Sequence, residues 1–425
     1  MKKQRMVIVD GVRTPFCKMG TDLAPLAADE LGRVAVNALL TKTDVDPRLI
    51  DEVIIGCVGN PNESANLGRV VALRAGVPES VPAITVSRNC ASGMEAFTQA
   101  YEKMCAGRGD VFVVGGVESM SNYPFLFRES AKAKFAKLGR SRTLMQKLSV
   151  MSQFRLRDFS PRIALQLGLT DPVCGLNMGE TAELLAREGG ITRDDQDNFA
   201  LCSHERAAIA TDDLVEEITP VYHQGKAITT DNGVRKEQSF EALQKLRPVF
   251  DRKNGTVTAG NASQITDGAV ALLVMSEEKA SELGMKPLGV LSGYAYAGCD
   301  PARMGLGPVY AIAAADENCG LAVGQADISE INEAFAAQVL ACQQAAASEK
   351  FARKVLGLPH PLGEIPGNKL NVNGGSIALG HPVGATGARL ILTSLKELNR
   401  RKLKRALVTL CVGGGQGAAI WLEAL

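Results

Sequence analysis

Reactive chemistry in this chain gathers in four short stretches. "SRNCASGMEA" (87–96) sets Cys90 between a β-branched run and a helix-forming one, and "EINEAFAAQ" (330–338) offers Asn332 and Glu333 ahead of small and aromatic residues. "NVNGGSIALGHPVGATGARL" (371–390) carries His381 between Gly380 and Pro382, and "CVGGGQGAA" (411–419) follows Cys411 with consecutive glycines. A thiol attacks only as its thiolate, and with an ordinary pKa near 8.5 only a few per cent is ionised at neutral pH. Helix N-terminal amides favour an anion by about 1 to 2 kcal/mol, roughly one pKa unit, so a helix start behind Cys90 helps but leaves the need for a base. The histidines are His204, His223, His360 and His381, and the last stands on a glycine-rich loop where a backbone must come close to something. Each residue also has an ordinary reading. Cys90 and Cys411 fit as buried thiols, His381 as a structural side chain in a turn, and Asn332 as a helix N-cap with Glu333 a favourable first-turn acid. The chemical reading of Asn332 is an amide offered to an oxyanion or an ordered water.

The elements that must position these residues follow from patterning. Short β-branched runs at Met6 to Val9, Val53 to Ile55, Val111 to Val114 and Leu407 to Leu410 alternate with helix-like stretches such as Pro25 to Leu40, the texture of α/β layers. Ile84 to Ser87 read as a strand and Ala91 to Tyr101 as a helix, which puts Cys90 at their junction, and a helix from about Ala385 follows His381. "DVFVVGGVESM" (110–120) and "ALVTLCVGGGQGA" (406–418) both read as a buried strand entering a glycine-rich turn, a hint of duplicated halves. Between them the texture changes. Residues 128–162 hold ten Lys or Arg against only Glu129 and Asp158, with Leu144, Leu148, Met151, Phe154 and Leu156 interleaved, and Thr192 with Asp195 has capping-box spacing. The middle section, 121–265, reads as a large insertion or separate lobe between two α/β halves, an N-terminal one over 1–120, completed by about 266–285, and a C-terminal one over 286–425.

Several function classes are set aside. With 425 residues, 46% hydrophobic and 22% charged, the chain has material for two or three cores. Forty-seven basic residues balance 46 acidic ones, so no global charge points to nucleic acid. Ten cysteines without a Cys-x-x-Cys pair argue against zinc ribbons and dense disulfide frameworks and suit a reducing compartment. The apolar run of "MKKQRMVIVDGV" stops at Asp10, too short for a signal peptide or membrane span, so the expected location is the cytoplasm. A dinucleotide fingerprint at the C-terminus has no room for its helix and second strand, and no phosphate loop is present.

Taken together and in this order, "NCASG", "NEAFAAQ", "GGSIALGHPVGATGAR" and "CVGGGQGAA" resemble the thiolase family, and the likeness runs from "RTPF" (13–16) to the C-terminus. The resemblance implies duplicated α/β halves in a five-layered αβαβα core with an inserted loop domain. It further implies an acyltransferase in which Cys90 is acylated, His381 withdraws its proton and Cys411 moves the α-proton. One oxyanion site would use His381 with Asn332 acting through a water, the other the N–H groups of Cys90 and Gly413. "LRPVFDRKNGTVTAGNAS" (246–263) looks like the family's coenzyme A region, and the matching contacts are Arg235, Phe250, Ser263, Met178 and Phe335. Coenzyme A and acyl-CoA would be substrates, with no permanently bound cofactor and no metal. Residues 141–161 resemble the loop of thiolase β-subunits from fatty-acid oxidation complexes. This implies 3-ketoacyl-CoA cleavage, a homodimer or dimer of dimers, and docking of 128–162 to an α-subunit with hydratase and dehydrogenase activity, to a membrane face, or to both. Asn177, in "NMG" where short-chain members often have "HMG", weakens the alternative of an acetoacetyl-CoA thiolase working in Claisen condensation. A condensing ketosynthase would normally carry a second active-site histidine where Asn332 stands.

Overall fold

The computed structural model describes residues 4–425; residues 1–3, the start of the basic N-terminal run, lie outside the described residues. The apolar runs form strands β1 (Met6–Arg13), β2 (Glu52–Gly56), β3 (Ala83–Val86), β4 (Val111–Ser119), β5 (Thr266–Ser276), β6 (Gly289–Gly298), β7 (Ile328–Ile331), β8 (Arg405–Val412) and β9 (Gln416–Ala424). They pair in the order β7-β8-β9-β6-β1-β5-β4-β2-β3, with a two-residue strand at Cys17–Lys18 added to β5. The two halves repeat one pattern. β2 runs parallel to β4, β4 antiparallel to β5 and β5 antiparallel to β1; β7, β8, β9 and β6 are related in the same succession. The two look-alike stretches therefore fill equivalent places, on β4 and on β8 with its turn. The connections differ: β8 reaches β9 through Gly413–Gly415, whereas residues 120–265 stand between β4 and β5. A short antiparallel contact, Val7 with Val290 and Ile8 with Gly289, joins the halves.

The core helices are α1 (Ala28–Thr43), α2 (Leu67–Arg74), α3 (Ser92–Cys105), α4 (Gly307–Cys319), α5 (Ala336–Ala347) and α6 (Val383–Arg401). Strand side chains two apart share a face. Val7, Val111, Val113 and Ala271 thus pack against Leu31 and Leu39 of α1 and Val71 of α2. Ile8, Phe112, Val114 and Leu272 turn the other way, to Phe97 of α3 and Leu390 and Ile391 of α6. In the second half Val408, Leu410 and Ile420 face the same central helices, while Leu407, Ala419 and Trp421 face Val309 and Ile312 of α4 and Val339 of α5. The layers run α, β, α, β, α. Both halves of the sheet are covered on both faces, which is why their strands read as continuous apolar runs.

The two central helices touch through glycine. A Cβ on Gly93 of α3 would stand 2.7 Å from the Ala388 nitrogen, and one on Gly387 of α6 would stand 2.7 Å from the Met94 nitrogen. Only a residue without a side chain permits that approach. The starts of α3 and α6, just after Cys90 and His381, are thereby locked side by side.

The insertion contributes helices over Glu129–Arg140, Leu144–Met151, Met178–Gly189 and Arg193–Ile209. Thr192 caps the last of these: its hydroxyl accepts from Asp195 N–H at 3.1 Å, and Asp195 reaches back to Thr192 N–H at 2.9 Å. The basic segment folds on a run of Phe127, Phe135, Phe154 and Phe159, with neighbouring ring centroids 4.9 to 5.5 Å apart. Phe154, expected among the outward apolar residues, is spent on this stack. Leu144, Met145 and Leu156 are exposed by 73%, 79% and 93%. Among the described residues, no helix is long and apolar enough to cross a membrane.

Candidate active site

Between the end of β3 and the start of α3 the chain makes a tight turn, with Ala91 N–H on the Arg88 carbonyl (2.9 Å) and Ser92 N–H on the Asn89 carbonyl (3.0 Å). Cys90 sits in this turn, at the junction the sequence predicts. It lines a cavity of about 240 Å³ together with Met120, Tyr123, Leu165, Met178, Val383 and Gly413. A larger hollow of about 660 Å³ runs along β6 beside Tyr101, Tyr294 and Tyr296, but no candidate catalytic residue lines it. Chemistry rather than size selects the Cys90 cavity. Burial pushes the Cys90 thiol above its usual pKa; N–H groups of Gly413 and Cys90 itself pull it down, and the Glu118 charge adds to the rise. The advantage expected from the helix start is therefore outweighed by desolvation, and Cys90 rests as a thiol.

His381 is buried, and its main-chain N–H donates to the Gln264 carbonyl at 3.0 Å. Thr386, on the first turn of α6, gives its hydroxyl proton to the Pro382 carbonyl at 3.0 Å, which leaves its oxygen to accept from His381 Nδ1 at 2.7 Å. That pattern assigns the tautomer: Nδ1 carries the proton and Nε2 presents a lone pair. The Asn332 amide approaches Nε2 at 3.4 Å, while Asn332 Oδ1 accepts from the Ser376 hydroxyl at 2.6 Å. Burial, reinforced by the Arg389 charge, drives the imidazole pKa down to about 3, so the ring is neutral at pH 7. Among the described residues no hydrogen bond joins His381 directly to Cys90. The α3–α6 glycine contact sets their spacing, and catalytic pairs commonly tighten only with substrate in place.

The capping reading of Asn332 is overturned. α5 begins at Ala336 with Phe335 as its N-cap residue, in extended conformation, so Asn332 lies ahead of the helix and its side chain serves Ser376 and His381. Glu333 is no first-turn acid either. Its carboxylate is buried and accepts from the Ser203 hydroxyl (2.6 Å), the Asn371 amide (2.9 Å) and Ile377 N–H (3.2 Å).

Cys411, near the end of β8, is buried opposite Gly417. Burial pushes its thiol well above the usual pKa, and the neighbouring Cys90 adds to the rise, so a thiolate on one opposes a thiolate on the other. Gly413 lies just beyond, and a Cβ there would stand 3.2 Å from the Met178 sulfur.

Four of the five binding candidates come together. Phe250 and Phe335 meet edge to face with centroids 6.1 Å apart, and Phe250 packs on Gly179 beside Met178. Met178, Phe250 and Phe335 share one apolar cluster with Cys411. Ser263 joins through its N–H on the Ala334 carbonyl, 2.9 Å. Arg235 stands apart with an exposed side chain, its main-chain N–H donating to His204 Nδ1 at 3.2 Å. Asn177 caps the helix Met178–Gly189 by accepting from Gly179 N–H at 3.0 Å, a structural reason for its type.

The residues that brace the site escape sequence reasoning. Glu118, in "GGVESM", is fully buried and accepts from N–H groups of Val58, Gly59 and Gly384 and from the Tyr123 hydroxyl, at 3.1, 2.8, 3.0 and 3.0 Å. One carboxylate thus holds two cavity walls and the first turn of α6. A lone acid closing an otherwise apolar strand is the signal that could have found it. Ser376 and Thr386 offer no comparable signal.

Comparisons with known proteins agree with this architecture. The thiolase N-terminal domain model matches residues 6–278 and the C-terminal domain model residues 285–424. The chain is 41% identical to a 3-ketoacyl-CoA thiolase of Yersinia enterocolitica over 424 residues, covering 99% of this chain and 97% of that protein. A 3-ketoacyl-CoA thiolase of Escherichia coli is 41% identical over 427 residues, with the same two coverages of 99% and 97%. Among solved structures, the acetyl-CoA acetyltransferase of Bacillus anthracis gives a TM-score of 0.86 at 37% identity, covering 100% of this chain and 99% of that one. Human mitochondrial 3-ketoacyl-CoA thiolase in complex with CoA gives 0.85 at 36% identity, covering 99% and 98%. Two adjoining family models account for nearly the whole length, and the chain belongs to the thiolase family of acyltransferases.

Proposed function

We propose that this protein is a 3-ketoacyl-CoA thiolase, cleaving its substrate with free CoA into acetyl-CoA and an acyl-CoA two carbons shorter. One observation carries the reading: Cys90 shares an apolar cavity with the Gly413 N–H, backed by a neutral imidazole whose free nitrogen is Nε2. His381 Nε2 takes the Cys90 proton, which is required because the thiol rests protonated. The thiolate attacks the 3-keto carbon, and the developing oxyanion is met by the N–H groups of Cys90 and Gly413. The bond between C2 and C3 then breaks, its electron pair forms the acetyl-CoA enolate, and Cys411 supplies the proton. His381, now protonated at Nε2, donates with Asn332, through a water, to the enolate oxygen. His381 then passes its Nε2 proton to the Cys411 thiolate, which restores both. Free CoA gives its thiol proton to the neutral His381 and attacks the acyl-cysteine, the thioester passes to CoA, and Cys90 leaves as a thiolate that takes the proton back from His381.

Arg235 is assigned to the adenine of CoA, Phe250 to its nucleotide lobe, Ser263 to the pantetheine, and Met178 and Phe335 to the acyl end. CoA and acyl-CoA act as substrates, and no resident cofactor is invoked. The working form is assigned as a homodimer or dimer of dimers in the cytoplasm, a location that ten free cysteines suit. Residues 128–162 are assigned to docking, with an α-subunit as first partner and an anionic membrane face as second. The support is the exposed Leu144, Met145 and Leu156 among ten cations.

The second reading, an acetoacetyl-CoA thiolase, is favoured by the likeness to the Bacillus anthracis acetyl-CoA acetyltransferase. A substrate ladder decides between them. A buried methylene contributes about 0.8 kcal/mol, roughly a fourfold gain in kcat/KM for each one added until the cavity is full. Rates from acetoacetyl-CoA to 3-ketopalmitoyl-CoA should rise and then level off; a clear preference for the shortest would favour the second reading. Incubation with acyl-CoA should label Cys90, and Cys90→Ser should not be labelled. A stable acyl adduct on another cysteine of active enzyme would defeat the mechanism.

A further inference from the structure

Asn89, the residue before Cys90, has no role in the mechanism above, yet its conformation is costly. It stands at φ +44°, a left-handed conformation that non-glycine residues adopt rarely. Its amide Nδ2 donates to the Gly413 carbonyl at 2.7 Å. That carbonyl shares a peptide plane with Gly414 N–H, and the other end of the plane faces Asp171. Asp171 is buried, and its Oδ1 accepts from Val173 N–H (2.7 Å) and Cys174 N–H (3.0 Å). Its other oxygen makes no full hydrogen bond. Burial raises the carboxyl pKa, but the Cys174, Val173 and Gly414 N–H groups outweigh it and hold the group below its usual range. The 413–414 plane is thus held by the Asn89 hydrogen bond from the nucleophile's turn, with the Asp171 carboxylate of the insertion near its other end. On its other side Gly413 continues from β8, where Val412 pairs with Gln416. The Gly413 N–H therefore lies between a paired strand and a clamped peptide.

We propose that Asn89 is a positioning residue whose left-handed backbone and amide clamp the 413–414 peptide, so that the Gly413 N–H stays aimed at the Cys90 sulfur and at the oxygen of an acyl group attached there. The proposal rests on the reading of Cys90 as nucleophile and Gly413 as donor. Asp171 lines the same cavity as Asn89 and Cys90, so the clamp also ties the cavity wall to the oxyanion donor.

The test is Asn89→Gly, which accepts the left-handed φ at no steric cost and removes only the amide. Deleting an oxyanion donor outright costs about a hundred- to a thousandfold in kcat, so loosening one should cost about tenfold, with KM within twofold of wild type. The pH midpoint for alkylation of Cys90 by iodoacetamide should move upward, because an N–H favouring the thiolate is no longer held. Asn89→Asp, which sets a carboxylate against the Gly413 carbonyl, should lose more. Acyl labelling of wild-type Cys90 is measured alongside. If the wild type takes no label there, the underlying reading falls and the proposal with it. If the label is present but Asn89→Gly keeps wild-type kcat and midpoint, the positioning role alone is refuted. A lower kcat with an unmoved midpoint would also refute it, by assigning Asn89 to packing.

Discussion

Thr386→Val removes one hydroxyl, keeps the side chain's volume and bears directly on which nitrogen of His381 would serve as the proposed base. In the wild type the Thr386 oxygen accepts from Nδ1 at 2.7 Å, and the Pro382 carbonyl receives both the hydroxyl and the Thr386 N–H, each at 3.0 Å. The carbonyl therefore keeps a partner in the variant, and the damage falls on the imidazole. A buried N–H left without an acceptor costs about 1–3 kcal/mol. The ring can escape by moving its proton to Nε2, but that nitrogen then meets the Asn332 amide donor donor-to-donor and has no lone pair for the Cys90 proton. If the lost bond contributes about 2.8 kcal/mol, near the top of that range, a tautomer ratio of about 10:1 for Nδ1–H becomes about 1:10 and the competent fraction falls about tenfold. Thiolysis of acetoacetyl-CoA, followed by the loss of enolate absorbance, should show kcat down about tenfold and KM little changed. Thr386→Ser, which keeps the oxygen, should recover most of the rate. Valine activity within twofold of wild type, or equal losses for serine and valine, would refute the tautomer assignment.

Cys411→Ser should retain acylation of Cys90 while losing condensation and exchange of the acetyl-CoA methyl protons, since a hydroxyl is a far weaker acid than a thiol; equal loss of both would assign Cys411 to packing. Replacing residues 128–162 by a short neutral linker should leave catalysis on a short substrate largely intact while weakening co-purification of an α-subunit or binding to anionic vesicles. Unchanged association with both would remove the docking assignment.

Layering and the principal thiol's place were legible because they rest on local patterns. Alternation along Val111–Val114 and Leu407–Leu410 fixes which side chains face the central helices, and the likeness of 110–120 to 406–418 corresponds to equivalent strands. Cys90 falls between a strand and a helix, as predicted, because β-branched and helix-forming runs abut there. The ordinary reading of Asn332 as a cap fails because residue type alone cannot tell a helix start from an extended lead-in, and Phe335, not Asn332, ends that lead-in. The bracing network was illegible for another reason. Glu118 meets Gly384 across 266 positions and Ser203 meets Glu333 across 130, so no spacing within a motif reports them. The sign of the Cys90 shift was hidden likewise, because it follows from burial, and the cavity around Cys90 is walled in part by Leu165 and Met178 of the distant insertion.

The electrostatics suggest why two thiols and a weakly basic imidazole suffice without a permanent charge. At rest Cys90 is held as a thiol, Cys411 more firmly so, and His381 neutral, all chiefly by burial. As proposed, a thiolate would arise only as part of a pair, when the Cys90 proton moves to Nε2, and attack on a carbonyl would then pass the negative charge to an oxygen that the N–H donors face. In the proposed mechanism, acylation turns Cys90 into a neutral thioester and removes the charge that opposes ionisation of Cys411. The obstacle to Cys411 giving up its proton falls at the step when the acetyl-CoA enolate needs one. In the reverse direction, the same neutral thioester lets Cys411 take a proton from acetyl-CoA. The mutual opposition of the two thiols, unfavourable if both had to ionise together, instead orders them in time.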